Sequence, residues 1–245
     1  MTDVMNPNRL TAFESVHVLT YLFNGQLFRA YLDYFGIGYD IVGIEKDANG
    51  LKFSDRPDEP EPVDYNRLID IIGRSPQDAR GWAMNEIGKN RTSLSATWYK
   101  ARYKNHEDIV LLKNKLRTVA RRGDNTSANG MIWTTFKGSM EWLLGPKHRY
   151  ASSFLPLNAR ATNKYRSATT VAYLANRFVD PNFLHFFEQR GTTISSDDFA
   201  LSELLQFVWR SAIRDGKKIT LYIPSKRMRT LLIDWMTKMN EGACE

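Results

Sequence analysis

"ALSELLQFVWRSAIRDGKKITLYIPSKRMRTLLIDWM" (residues 200–236) decides the fold class. It opens as an amphipathic helix and then passes through "KKITLYIP" (217–224), a short run of the kind that forms a buried strand. It re-enters helix at Ser225, a good N-cap for "SKRMRTLLIDWMTKM". Upstream, "SSDD" (195–198) supplies a cap and an acidic first turn for the opening helix. Helix, strand and helix in close succession are the grammar of α/β domains, in which parallel strands are covered by helices.

Working outward, "MIWTTF" (131–136) and "YASSFLPLN" (150–158) read as further strands, with the short helix "GSMEWLLG" between them. Helices are expected around 168–178 and 181–190, with Pro181 in the first turn of the second. Near the start, "VHVLTYL" (16–22) reads as a strand, "NGQLFRAYLDYFGIG" as a helix stopped by glycine, and "YDIVGIEK" (39–46) as a second strand. Strand, helix and strand in that order predict a right-handed parallel unit. Residues 65–122 look mostly helical, with no clear strand, and "SDRPDEPEPVD" (54–64) and "GDNTSANG" (123–130) are loops. The expectation is one α/β domain over 1–245. It has about five strands in a mostly parallel sheet flanked by helices, and a helical, basic insertion at about 65–122.

Composition narrows the function classes. Hydrophobic residues make up 42% of the 245-residue chain and aromatics 12%, enough for a folded core. The net charge of +7 favours polyanionic partners, nucleic acid first. A single cysteine, Cys244, excludes a disulfide framework and suits a reducing cytoplasm. "MTDVMNPNRL" has no apolar signal core, and no run of eighteen apolar residues occurs, so no membrane role is expected. His17, His106, His148 and His185 are isolated, so no metal site is expected. There is no G-x-x-x-x-G-K-[ST] loop, no G-x-G-x-x-G after a strand and no G-x-S-x-G elbow.

Four segments carry candidate chemistry. Gln206, Arg210 and Arg214 recur every four residues, a spacing that puts them on one stripe of a helix. Two guanidinium forks on such a stripe suit phosphate oxygens, although a solvated polar face has the same pattern. "LPLNARATNKY" (155–165) packs Asn158, Arg160, Thr162 and Asn163 just beyond an expected strand, where α/β sheets gather ligands. The strand ends "LTYLFNGQ" and "WTTFKG" offer Thr20, Thr134 and Thr135 near helix starts, which favour anions. The block 89–122 interleaves Lys100, Arg102, Lys104, Arg121, Arg122 and other cations with Trp98, Tyr99 and Tyr103, a pattern that fits phosphate neutralisation and base stacking.

Together these segments resemble the C-terminal, second RecA-like motor domain of a superfamily 2 helicase, of the DEAD/DEAH-like kind that phages and mobile elements encode. "QFVWRSAIR" is similar to the helicase pattern Q-x-x-G-R-x-x-R, with Trp209 in place of glycine and the last arginine one residue later. "NARATNKY" stands where that family couples nucleic-acid contact to hydrolysis. The resemblance implies that Arg210 and Arg214, with Gln206, reach the ATP of another motor domain during DNA replication. Asn158, Arg160, Thr162 and Asn163 would sense nucleotide and strand, and Thr20, Thr134 and Thr135 would touch the phosphate backbone. The phosphate-binding loop and acidic magnesium motif of such a motor are not in this sequence. ATP and Mg2+ are therefore expected only with a Walker A/B-bearing partner, and nucleic acid, DNA ahead of RNA, is the other expected partner. The location expected is the cytoplasm, that of a bacterial host if the gene is phage-borne. The alternative is a non-catalytic nucleic-acid-binding replication accessory protein on a helicase-derived scaffold, using the basic block as its surface.

Overall fold

The structure, a computed structural model, describes residues 6–47, 50–54, 63–122, 130–144, 150–159, 162–189 and 191–241. The chain divides into two compact units, one formed by Met1–Asp58 with Val179–Ser202 and the other by Glu59–Phe178 with Glu203–Glu245. In chain order the elements are α1 (Asn8–Thr11), α2 (Leu27–Phe35), β1 (Gly43–Asp47), β2 (Gly50–Ser54), α3 (Tyr65–Leu68) and β3 (Ile69–Ile71). Then follow α4 (Ala79–Met84), α5 (Ala96–Lys100), α6 (Glu107–Arg122), β4 (Met131–Thr134), α7 (Met140–Leu143) and β5 (Thr170–Tyr173). The last are α8 (Pro181–Glu188), α9 (Ser196–Val208), β6 (Ile219–Tyr222) and α10 (Lys226–Glu241).

The second unit holds the α/β sheet expected from 200–236. Its four strands are all parallel, in the order β3-β6-β5-β4. Three of them are short apolar runs, and β4 and β5 are buried at every position, as a sheet covered on both faces requires. Alternation assigns the faces. Trp133, Ala172 and Tyr222 pack in one cluster with Ile109, Leu112, Leu116 and Val119, the inward stripe of α6. Tyr173 points the other way and meets Phe207 of α9 edge-on at 5.5 Å between centroids. α10 buries Met228, Leu232, Trp235 and Met236, and its Trp235 packs against Tyr65 and Trp209.

In the first unit, α2 and α8 supply Ala30, Tyr31, Leu32 and Phe187 to a small aromatic-rich core. α2 ends where expected: Gly36 takes φ +62°, and Ile37 N donates to Leu32 O, satisfying an otherwise orphaned carbonyl. Asp180 caps α8 ahead of Pro181, and Ser195 Oγ accepts from Asp198 N at the start of α9.

Several expected elements differ. Residues 16–22 form no strand among the described residues: 16–21 are exposed and Leu22 takes φ +51° before a 3-10 turn, because this run has no neighbouring strand to pair with. β1 instead pairs antiparallel with β2 as a hairpin, so residues 16–46 are not a parallel unit. The segment 168–178 holds strand β5, Thr170–Tyr173, and no helix. Its apolar run is too short for periodicity to separate the two, and its β-branched Thr169, Thr170 and Val171 favour the pleat. "YASSFLPLN" contributes a 3-10 turn and one isolated bridge, Trp133 to Phe154, before Pro156. Residues 65–122 contain β3, three residues long, and α6 covers the sheet as part of the core.

Candidate nucleic-acid interface

Parallel strands converge their carboxyl ends on one edge, and here that edge is built to hold residues 86–104 against it. After β3 the chain turns at Gly73, with φ +63°, where a Cβ would lie 2.3 Å from Gly81 O. Asp78 locks this turn, accepting from Gly81 N at 2.9 Å and from Gly73 N at 3.2 Å. At Gly88 a Cβ would stand 1.8 Å from Pro224 O, so only glycine lets this segment seat on the end of β6.

Asn176, fully buried just past β5, is the hub. Its backbone N donates to Leu94 O at 2.8 Å, and its Nδ2 donates to Arg91 O at 2.8 Å and Ser93 O at 3.0 Å. Its Oδ1 accepts from Arg227 Nη1 at 2.9 Å. Arg227 also donates to Arg177 O at 2.6 Å and stacks over the Phe178 ring at 4.1 Å. Leu94 sits at φ +63°, a backbone shape that a branched side chain resists, held by this network. Further along, Tyr99 OH and Thr135 Oγ1 both donate to Leu174 O, at 2.7 and 3.2 Å. Tyr222 OH donates to Met84 O at 2.9 Å. Arg229 gives Nη1 to Ile223 O and Pro224 O, and burial pushes its guanidinium below the ordinary value.

What this strap displays outward is basic and aromatic. Lys100 and Lys104 are exposed, as is Arg91, and between the two lysines Tyr103 leaves 65% of its surface in solvent, touching His106 edge-on. Arg102 has another job. Its Nε pairs with Asp108 at 2.7 Å, its Nη1 donates to Trp98 O, and its guanidinium lies 3.9 Å over the Trp98 ring. On α6, Arg121 is exposed, and Arg122 closes the helix with its side chain outside the described set.

Thr134 and Thr135 are fully buried, so the expected contact with a phosphate backbone does not fit their position. Thr134 stands beside Tyr173 in register, and no described residue offers its hydroxyl a hydrogen bond. Thr20 is exposed and accepts from Gln26 Nε2.

The arginine stripe breaks. α9 stops at Val208, and Arg210 follows in a turn with its Nε donated back to Gln206 O at 3.1 Å. Arg214 belongs to a separate 3-10 turn, Ala212–Asp215, so Gln206, Arg210 and Arg214 do not share one helical face. That turn feeds β6 and residues 162–169 feed β5, so both lie at the amino edge of the sheet, opposite the strap. The expected place of Thr162 and Asn163 beyond a strand's carboxyl end is corrected accordingly. The structure nonetheless brings two of the predicted segments together: Arg214 Nη1 donates to Asn163 Oδ1 at 2.8 Å. Alongside, Arg166 Nε donates to both Asp215 oxygens at 2.8 Å and holds that carboxyl below the usual carboxylate range. Asn158 is exposed in a turn, Thr162 accepts from Lys164 N at 3.3 Å, and Arg160 lies outside the described residues. Sequence reasoning missed Asn176 and Arg227. "LANRF" (174–178) after a buried run was the signal for Asn176, hidden because that run was read as helix, and Arg227 stood among the cations of "SKRMR" (225–229) with nothing to single it out.

Among the described residues no group of acidic, histidine or cysteine side chains could hold a metal ion, and no helix is long and apolar enough to cross a membrane. Residues 64–236 match the family model of the YonV C-terminal Rossmann-like domain. The chain is 36% identical over 224 residues to the SPbeta prophage-derived uncharacterized protein YonV of Bacillus subtilis (strain 168). That match takes in 91% of the chain and 52% of the relative, so the chain spans about half the length of this curated relative. No solved structure matches. These matches agree with the four-stranded parallel sheet and do not confirm a RecA-like helicase domain. The chain belongs to the family of YonV C-terminal Rossmann-like domains.

Proposed function

We propose that this domain binds nucleic acid, DNA ahead of RNA, through the strap 89–104 at the carboxyl edge of its sheet. One observation carries the reading: Tyr103 stands in solvent between exposed Lys100 and Lys104 on a segment pinned by buried Asn176. An exposed aromatic flanked by cations suits a single strand, whose bases stack on the ring while the phosphates meet the amines. Pinning the strap lowers the ordering entropy that binding would otherwise cost. The net charge of +7 supports the same partner. Fluorescence anisotropy with a labelled single-stranded oligonucleotide tests this. Tyr103→Ala is expected to weaken binding by about 1–3 kcal/mol, the usual worth of a stacked base. Undiminished affinity would remove the stacking role, and absence of binding by the native chain would end the proposal.

A second reading keeps the motor-domain resemblance, and the hydrogen bond between Arg214 and Asn163 favours it by joining two of the segments that carry the resemblance. In that reading the amino-edge arginines meet the ATP and Mg2+ of a partner motor domain. The broken stripe at Val208 argues against a shared reach by Arg210 and Arg214. DNA-stimulated ATP hydrolysis on mixing with a phosphate-loop-bearing partner, lost in Arg214→Ala, would favour it. Turnover insensitive to Arg214→Ala would dismiss it.

A further inference from the structure

Large apolar side chains left in solvent are spread unevenly over this protein. Of the fifteen such residues among those described, eleven fall between positions 13 and 53. Leu19 is 81% exposed, Phe13 67%, Phe53 59% and Ile41 56%. The hairpin adds to the same character: Ile44 and Phe53 face each other across β1 and β2, both exposed, and His17 stacks on Phe53 at 5.4 Å. Between 13 and 53 the acidic residues Glu14, Asp33, Asp40, Glu45 and Asp47 outnumber the basic Arg29, Lys46 and Lys52, five against three, and Arg29 pairs with Asp33 on one helix turn. Isolated surface leucines need no explanation, but Ile44, Phe53 and His17 join into one exposed group, and grouped apolar surface marks a protein contact. A segment with more acidic than basic side chains is a poor match for nucleic acid, which is held mainly through its phosphates.

We infer that the exposed apolar side chains of 13–44, together with Phe53, form the docking face for a folded domain equivalent to the part of YonV that lies outside the match. Two findings select this occupant. The family model begins at residue 64, so the apolar segment precedes the C-terminal Rossmann-like domain. The relative carries a counterpart of 91% of this chain in only 52% of its own length, which leaves a domain-sized remainder. The matched family is the C-terminal domain of YonV, and on that ground the remainder is assigned to the amino-terminal side of the relative. A neighbouring domain with its own apolar face would cover Leu19, Ile41 and Phe53, and such contacts bury surface at a gain of about 25 cal/mol per Å².

Cysteine labelling tests this. Leu19→Cys, Phe53→Cys and Tyr103→Cys are each placed in the full chain carrying Cys244→Ser. Each variant is also fused to the amino-terminal portion of the Bacillus subtilis relative, and labelling at each site is followed by mass spectrometry. The expected result is labelling at least tenfold slower at positions 19 and 53 in the fusion, with position 103 unchanged. Equal rates in chain and fusion would overturn the inference, as would equal slowing at all three sites. Slow labelling already in the separate chain, with a dimeric mass by sedimentation, would assign the face to a second copy and also overturn it.

Discussion

Replacing Asn176 by alanine separates the strap from the sheet without touching the surface that the strap displays. The native side chain is fully buried and makes three hydrogen bonds, two to the carbonyls of Arg91 and Ser93 and one from the Arg227 guanidinium. Neutral bonds of this kind contribute about 1 kcal/mol each and a charge-assisted one about 1.5–3 kcal/mol. Arg91 is exposed and Arg227 half-buried, so water recovers part of what those two groups lose. The net cost is therefore placed at about 2–4 kcal/mol, a large share of the stability of an ordinary domain. Leu94 should relax from its left-handed backbone once the hub is gone, which returns a little of that cost. Urea unfolding followed by tryptophan fluorescence gives the stability change, and hydrogen exchange gives its location. Faster exchange across 91–99 with little change in α10 is expected. Asn163→Ala, a change to an exposed asparagine, serves as the comparison and should cost far less. A loss below about 0.5 kcal/mol for Asn176→Ala, or unaltered exchange in the strap, would refute the hub assignment, since even one lost buried bond exceeds that.

Three further outcomes follow from single contacts. Gly88→Ala drives a carbon into Pro224 O and should cost about 1–3 kcal/mol in thermal or urea melts, whereas Gly138→Ala, which meets nothing within 4 Å, should be near neutral. Burial raises the phenols of Tyr99, Tyr173 and Tyr222 above their ordinary value of 10.0, so the folded state keeps them neutral where the unfolded chain ionises. Their contribution is fully present below pH 10 and lost as pH rises through the folded values; absorbance titration should show these three ionising only with unfolding. Asp215 is shifted the other way by Arg166, so its contribution is present above the ordinary carboxylate range and lost as pH falls through its lowered folded value. Asp215→Asn should flatten that part of the acid limb in pH-dependent melts.

The central α/β layout was legible because its clearest signals are local. Residues 217–224 and 131–136 are short apolar runs, and Ser195, Pro181 and Ser225 mark helix starts by side-chain chemistry alone. Pairing is not local. "VHVLTYL" has strand composition but pairs with no strand among the described residues, while Ile69–Ile71 pairs with β6 and has too little length to stand out. The same limit hid the site. Arg210 and Arg214 share a helical spacing only while the helix lasts, and it ends at Val208. Asn176 gained its role from carbonyls more than eighty residues earlier in the chain, which no window of sequence displays. The cations and aromatics of 89–122 were visible by composition, but sequence did not separate Arg102, tied to Asp108 and Trp98, from Lys100 and Lys104, which are exposed.

Lys100 and Lys104, with Arg91, are proposed to meet the phosphates of a single strand. The most direct test is the salt dependence of oligonucleotide binding. Three contacts predict a slope of log affinity against log salt near −2, and Lys100→Ala with Lys104→Ala should reduce it to about −0.7. A slope that the double substitution leaves unchanged would contradict the account.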